Sequence, residues 1–180
     1  MSKKGQIILL DADVIIHFMK ASKHLSLPAI FPEYRLCVLD IVADELRKFK
    51  TGIVQVDNLF TFKTIEQLPF PKNEYSNPIF KEFIQLKKLY GDGESACMAY
   101  ARFNQNILAS SNLKDIKNYC NTHHIQYLTT MDFLCEALRR GVFTENDCDD
   151  FIFIVKHKDS KLPPISKMSQ YDCIKREVRS

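Results

Sequence analysis

The chain has 180 residues, of which 46% are hydrophobic and 26% charged, which favours one globular domain with a sizeable core over two full domains. The net charge of +3 permits contact with a polyanion but is too small to argue for one, so any basic patch must be local. No apolar run approaches the roughly 18 residues that span a bilayer, which argues against membrane contact.

The N-terminus and the cysteines bear on the cellular compartment. Lys3 and Lys4 precede only a short apolar run, which Asp11 and Asp13 interrupt, so we expect no signal peptide. The six cysteines never form a C-x-x-C pair, and several lie among apolar neighbours, as buried thiols do. We therefore expect a cytoplasmic protein whose cysteines are reduced and which has no structural zinc.

The first predicted element is a strand at residues 7–10. Four aliphatic residues in a row, shortly after Gly5, are typical of a strand buried on both faces of a parallel sheet. Asp11 follows directly and would lie at the C-terminal edge of the sheet, where open α/β sheets place their ligand crevice. The same residue fits equally well as the cap of the next helix, which begins near Val14.

Strands and helices then alternate along the chain. Predicted strands cover residues 34–39, 106–110 and 125–128, and predicted helices cover residues 41–50, 79–90, 92–102, 130–140 and 146–156, with one more beginning near residue 112. Residues 54–64 fit an edge strand or a short helix equally well. This alternation predicts an α/β fold, a three-layer α/β/α sandwich with a central, mostly parallel sheet. Residues 1–156 form the predicted domain, and residues 157–180 the predicted basic C-terminal tail.

Acidic residues recur at equivalent places in this pattern: Asp11 after the first strand, Glu45 in the helix after the second, Glu94 in the first turn of a later helix, and Asp115 after a later strand. Because right-handed crossovers bring the C-terminal ends of parallel strands to one edge, we predict that these carboxylates meet there. Clustered carboxylates repel unless a cation joins them, and an all-oxygen set favours Mg²⁺ or Mn²⁺. The natural chemistry of such a site is phosphodiester hydrolysis.

Each of these acids also has an ordinary structural explanation. Glu45 fits a solvated helix position, and Glu94 fits the positive end of a helix dipole. Asp115 follows Asn112 at a spacing similar to a capping box. The residues alone leave both interpretations open.

The motifs around the four acids together resemble the PIN-domain nucleases, which include the ribonuclease toxins of toxin–antitoxin pairs. The matching segments are residues 10–15, with an Asp-x-Asp turn, residues 42–46, residues 91–96, in the sequence Gly-Asp-Gly-Glu-Ser-Ala, residues 110–116, and a closing helix within residues 129–141. The resemblance spans roughly residues 6–145. It implies metal-dependent cleavage of single-stranded RNA, with Asp11, Glu45, Glu94 and Asp115 as the catalytic, metal-binding residues.

The chain departs from the family pattern in three places. Glu94 stands where an aspartate is more common, and Ser110-Ser111 replaces a more usual Thr-Arg. Residues 54–90 and the tail are long for a compact toxin. The sequence does not decide between a chain that acts alone and one that binds an antitoxin protein or forms a homodimer. Basic residues near the predicted edge would contact RNA phosphates, although solvated helix faces explain them equally well: Arg47, Lys48, Lys114, Arg139 and Arg140.

Two other functions fit parts of the sequence. Asp11-Ala12-Asp13 after an apolar strand also resembles the nucleophile motif of haloacid-dehalogenase-type phosphatases, in which Asp11 would attack phosphorus and Asp13 would act as general acid. That family needs a later apolar strand ending in paired acids, and Asp149-Asp150 follows no such strand. The second alternative is a catalytically inactive PIN-like module that binds RNA or a protein.

Overall fold

The computed structural model describes residues 5–48 and 53–173, and its centre is a five-stranded sheet. The strands, all parallel and in the order β3-β2-β1-β4-β5, are β1 (Ile7–Leu10), β2 (Arg35–Leu39), β3 (Glu66–Leu68), β4 (Ile107–Ala109) and β5 (Tyr127–Leu128). Helices cover both faces, so the predicted α/β class with a parallel central sheet is confirmed.

The helices of the described residues are α1 (Ala12–Lys20), α2 (Leu27–Ile30), α3 (Asp40–Arg47), α4 (Ile53–Thr61), α5 (Pro78–Leu86), α6 (Asp92–Asn104), α7 (Leu113–Thr122), α8 (Thr130–Arg139) and α9 (Glu145–His157). Short 3₁₀ turns lie at His24–Ser26 and Met168–Gln170. No helix in the described part of the chain is long and apolar enough to cross a membrane.

The central position of β1 in the sheet explains the unbroken aliphatic run at residues 7–10. Ile8, Leu9 and Leu10 are completely buried, because β1 pairs with β2 on one side and β4 on the other while helices cover both faces. The backbone N–H of Asp11 donates to the carbonyl of Ala109 at 2.8 Å and extends this ladder by one residue. The first acid is therefore fixed at the C-terminal edge of the sheet.

Helix α6 brings its first turn to the same edge. Its small residues Ala96, Cys97 and Ala99 have no exposed surface, and the helix packs against β1, β2 and β4. Small side chains permit this close approach of helix and sheet. Because α6 ends just before β4 begins, its first turn lies at the opposite edge, beside the C-terminal ends of the strands.

Three aromatic rings join the first helix to the last two. Phe18 of α1 makes edge-to-face contacts with Phe133 of α8, at 5.8 Å between ring centroids, and with Phe151 of α9, at 4.9 Å. All three side chains are almost completely buried. Helix α9, predicted at residues 146–156, is therefore part of the main core, and a capping box at Thr144 and Asp147 fixes its start.

The ambiguous segment at residues 54–64 is mainly helical. Helix α4 buries Val56 and Leu59, which are three positions apart on one helix face, while Val54 is 71% exposed. The edge strand of the sheet lies just after this segment. It is β3, which consists of mainly polar residues and pairs with β2. The helix predicted for residues 41–50 ends at Arg47 in the described chain, and residues 49 and 50 lie outside it.

One prediction about the cysteines is wrong. Cys135 in α8 and Cys173 form a disulfide across a sequence separation of 38 residues, whereas we expected six reduced thiols. The spacing of the cysteines in the sequence does not identify this pair, because Cys173 reaches Cys135 only when the segment after α9 folds back onto α8. The other cysteines are free and buried, as expected: Cys37, Cys97, Cys120 and Cys148.

The segment after α9 packs against α9 and α8 as far as Cys173. Lys156 Nζ donates to the carbonyl of Ile165 at 2.6 Å, and the backbone N–H of Met168 donates to Asp149 Oδ1 at 2.6 Å. The Met168 side chain is only 2% exposed. The basic residues predicted further along the tail lie outside the described residues: Lys175, Arg176 and Arg179.

Candidate functional site

Asp11 is both a helix cap and a buried acid at the sheet edge. Its Oδ1 accepts a hydrogen bond from the backbone N–H of Ala12 at 2.8 Å, so the capping interpretation is correct. Capping does not explain, however, why this carboxylate is buried close to other acids. Burial, followed by the charge of Asp13 and a smaller contribution from Glu94, raises the pKa of Asp11 well above its ordinary value.

Asp13 lies beside it and is held by the loop between β4 and α7. Its Oδ2 accepts from the backbone N–H of Ser111 at 2.8 Å and from Ser110 Oγ at 3.3 Å, and its Oδ1 accepts from the N–H of Val14 at 2.6 Å. These donors lower the pKa of Asp13, but burial outweighs them and raises it. The sequence analysis gave this acid a place in the Asp-x-Asp turn and, in the phosphatase alternative, the role of general acid, but did not include it among the four predicted metal ligands.

Glu45 reaches the site from α3. Its Oε1 accepts from the backbone N–H of Gly93 at 3.0 Å, in the first turn of α6. A Cβ atom built on Gly93 would lie 2.9 Å from Glu45 Cδ and closer still to Oε2. The glycine therefore leaves the space that the Glu45 carboxylate occupies.

Glu94 follows Gly93 in the first turn of α6, and three other acids influence its ionisation. Burial, with additional repulsion from Asp115 and Asp13 and a smaller contribution from Glu45, raises the pKa of Glu94 from 4.5 to about 7. Among the described residues, no hydrogen-bond partner reaches its buried Oε1. A buried carboxylate oxygen without a partner is costly unless another ligand, such as a cation, satisfies it.

Asp115 enters from the first turn of α7 and is oriented by a neighbour. Asn112 Nδ2 donates to Asp115 Oδ2 at 2.7 Å, and the same amide side chain lowers the pKa of Glu94 through a hydrogen bond. The Asn112 side chain makes no cap of its own on α7. The spacing that resembled a capping box therefore links two acids instead.

These five residues, Asp11, Asp13, Glu45, Glu94 and Asp115, are called the acid cluster below. Their shared location is also evident from Cys97, one turn further along α6, whose thiol pKa is raised first by burial and then by Asp11 and Glu45. No three acidic, histidine or cysteine side chains of residues 5–48 and 53–173 converge closely enough to coordinate one ion. Since neighbouring carboxylates repel, their approach to coordination distance needs a cation between them. The oxygen-only donor set and the unsatisfied Glu94 oxygen fit a hard divalent ion.

The predicted RNA-binding residues are spread over the molecule. Lys114 is exposed on α7, directly before Asp115. Arg47 pairs with Asp44 at 3.3 Å and Asp57 at 3.7 Å, and Lys48 is exposed at the end of the first described range.

The two arginines of the closing helix lie away from the acid cluster. Arg139 and Arg140 both pair with Glu136, and Arg140 Nη2 also contacts Glu33 at 2.8 Å. They lie at the end of α8 and just after it, about 14 Å along the helix from the end that meets the sheet edge.

A hydrogen-bonded chain runs from the acid cluster into the core. Thr130 Oγ1 lies 2.7 Å from Ser111 Oγ and 2.8 Å from His17 Nδ1, and the backbone N–H of Thr130 donates to Ser111 Oγ at 3.0 Å. The sequence offers His17 no partner at metal-ligand spacing, which favours a packing or surface residue. The structure has it as a packing residue, buried and hydrogen-bonded on the inner face of α1.

His17 makes stability depend on pH in a defined direction. Burial, with a smaller contribution from Lys20, lowers the pKa of His17 from 6.5 to about 4. The unfolded chain therefore takes up a proton at a higher pH than the folded chain does. His17 contributes its full stability above about pH 6.5, and the contribution falls as the pH decreases toward 4.

Replacing His17 with asparagine should remove this dependence. The wild type should lose about 2 kcal/mol relative to His17→Asn between about pH 7 and about pH 5. Urea unfolding of both proteins at the two pH values measures this difference, in which the titration of the carboxylates cancels. A difference that does not change with pH would contradict a neutral, buried His17.

Comparison with known proteins bears on the fold. No family model and no curated protein matches the chain. Among solved structures, VapBC2 from Rickettsia felis bound to a DNA fragment from their promoter matches with a TM-score of 0.52 and 16% identity, over 69% of this chain and 98% of that chain. VapBC-1 from nontypeable Haemophilus influenzae matches with a TM-score of 0.50 and 20% identity, over the same shares. The chain has a PIN-type fold, as the resemblance implied, and the match covers about two thirds of its length.

Proposed function

We propose that the chain is a divalent-metal-dependent ribonuclease that cleaves single-stranded RNA at the acid cluster. The observation that carries the proposal is Glu94 Oε1, a buried carboxylate oxygen with no hydrogen-bond partner among the described residues. It lies among acids from other elements, including Asp13 and Asp115, which raise the pKa of Glu94 after burial does. Acids grouped in this way favour an ion with hard oxygen preference.

The residues proposed to hold Mg²⁺ or Mn²⁺ are Asp11, Glu45, Glu94 and Asp115. A bound ion of this kind supplies Lewis-acid stabilisation of phosphate charge and activates water for attack. The protein contributes the fixed positions of the carboxylates. The N–H of Gly93 orients Glu45, and the side-chain amide of Asn112 orients Asp115. Of the five basic residues predicted to contact RNA, Lys114 is exposed and lies beside Asp115 on α7, so it is the one proposed to contact an RNA phosphate.

An antitoxin protein is the partner that the proposal includes besides RNA. The similar structures are of VapBC pairs, which supports a role for this chain in a toxin–antitoxin system. A homodimer remains a prediction that light scattering of the purified chain would test.

The phosphatase alternative is not favoured by the fold. It needs an additional apolar strand that ends in paired acids, yet Asp149 and Asp150 lie inside helix α9. Asp149 also accepts the backbone hydrogen bond of Met168, which is a structural role.

The proposal is tested with labelled single-stranded RNA and, in parallel, a small aryl phosphate, each with Mg²⁺, Mn²⁺ or EDTA. We expect cleavage of the RNA only with a metal ion, while the aryl phosphate stays intact. Hydrolysis of the aryl phosphate with intact RNA would contradict the nuclease and support the phosphatase. Binding of RNA without cleavage under every condition would support the inactive binding module.

Replacing Gly93 with alanine should separate function from stability. The new Cβ takes the space of the Glu45 carboxylate, which lies at the end of a flexible side chain and rotates away. Alanine is intrinsically favoured over glycine in a helix by about 1 kcal/mol, so the free energy of unfolding should change little. The affinity for Mn²⁺ should fall by about tenfold or more, as when an orienting contact to a ligand is lost.

Gly91→Ala provides the matched control for this variant. Gly91 has an ordinary φ of −64°, and a Cβ built there meets no atom within 4 Å. Calorimetric titration with Mn²⁺ should give wild-type affinity for Gly91→Ala. Equal affinities for both glycine variants would show that Glu45 does not contribute to metal binding.

A further inference from the structure

The β4–α7 loop, residues 110–112, contacts two acids of the cluster. The backbone N–H of Ser111 donates to Asp13 Oδ2 at 2.8 Å, and Asn112 Nδ2 donates to Asp115 Oδ2 at 2.7 Å. The position of this short loop therefore sets the direction of both carboxylates. A displacement of the loop would remove these two donors from Asp13 and Asp115.

Side-chain hydrogen bonds anchor the loop to two helices. Ser111 Oγ accepts from the backbone N–H of Thr130 at 3.0 Å and lies 2.7 Å from Thr130 Oγ1. Thr130 Oγ1 in turn lies 2.8 Å from His17 Nδ1. Thr130 is completely buried and His17 is 4% exposed, so water does not readily replace these partners.

We propose that His17, Thr130 and Ser111 are positioning residues that hold the β4–α7 loop so that Asp13 and Asp115 face the cation site. The inference rests on the proposed function, because the cation site is part of it. Ser111 occupies the position where the family resemblance expects an arginine, and here its hydroxyl joins the loop to α8. His17 and Thr130 lie outside the acid motifs and act only through Ser111.

The hydroxyl of Thr130, which lies between His17 and Ser111, can be removed with little change in the shape of the side chain. Thr130→Val has nearly the same shape but no hydroxyl, whereas Thr130→Ser keeps it. Ser111→Ala breaks the same chain in a partly exposed loop, where failure to fold is less of a concern. Thr122→Val is the control for the chemical change, because Thr122 is exposed and its hydroxyl donates to the carbonyl of Asn118 in its own helix.

Three measurements test the inference: the dissociation constant of Mn²⁺ by calorimetry, amide hydrogen exchange of residues 109–113 without added metal, and RNA cleavage as a function of Mn²⁺ concentration. Thr130→Val and Ser111→Ala should bind Mn²⁺ about ten- to hundredfold more weakly, by analogy with other residues that orient metal ligands. Both should exchange the Ser111 amide faster. Their cleavage rate should recover toward the wild-type rate at high Mn²⁺. Thr130→Ser should restore affinity and protection, and Thr122→Val should match the wild type.

The outcomes distinguish this inference from the proposed function. Wild-type Mn²⁺ affinity in both Thr130→Val and Ser111→Ala would overturn the positioning role, even if both variants were less stable. A wild-type chain that binds no Mn²⁺ would contradict the proposed function, and with it the positioning role. Faster exchange in the loop without any change in metal affinity would reduce the hydrogen-bonded chain to a structural role and overturn the inference.

Discussion

Asp11→Asn should lower the rate of metal-dependent RNA cleavage by about a thousandfold, since metal ions contribute several kcal/mol to such reactions and each 1.36 kcal/mol corresponds to tenfold. Asparagine has nearly the same shape and keeps an oxygen for the cap on Ala12, so α1 should still begin at the same residue. The variant removes only the charge. Because burial raises the pKa of Asp11, the ionised carboxylate opposes folding, and the asparagine variant should be at least as stable as the wild type.

Cleavage kinetics and urea unfolding of the same preparation check both parts of this prediction. Asp150→Asn is the control, because Asp150 is exposed on α9 and lies outside the acid cluster. Cleavage by Asp11→Asn at the wild-type rate would show that Asp11 is only a helix cap and takes no part in catalysis.

Reduction of the Cys135–Cys173 disulfide should lower the free energy of unfolding by about 4 kcal/mol, the loop-entropy estimate for a closed loop of this length. The bond closes the segment that carries α9 and the residues packed on it, including the buried Met168. Cys173 is exposed, so reductant reaches the bond in the folded protein. Urea unfolding with and without dithiothreitol measures the loss.

Cys173→Ser supplies the control for the disulfide. Its stability should equal that of the reduced wild type and should not respond to dithiothreitol. Thiol titration of the folded wild type should gain reactive groups on reduction, because the other described cysteines are buried. Six free thiols in the unreduced, denatured protein would contradict the bond.

Local patterns in the sequence predicted most of the fold. The aliphatic run of β1 and the small residues of α6 each define their element by composition and spacing. Strand β3 was missed, because a strand of three mainly polar residues owes its conformation to pairing with β2 and not to its own preference. The disulfide was missed for a similar reason, since its two cysteines meet only when the chain folds back.

The candidate site was predicted in part. The rule that parallel strands end at one edge located the acids, and the resemblance identified their motifs. Neither source indicated that Asn112 links Glu94 to Asp115, or that Ser111 is joined to His17 through Thr130. These contacts connect residues far apart in sequence, so only the folded chain reveals them.

The central claim is that the acid cluster holds a divalent cation, and the most direct test is to locate Mn²⁺ by anomalous scattering in crystals grown with the ion. We predict one peak within about 2.5 Å of carboxylate oxygens from Asp11 and at least one other proposed ligand, Glu45, Glu94 or Asp115. No peak at the acid cluster, or a peak bound only by residues elsewhere, would contradict the claim.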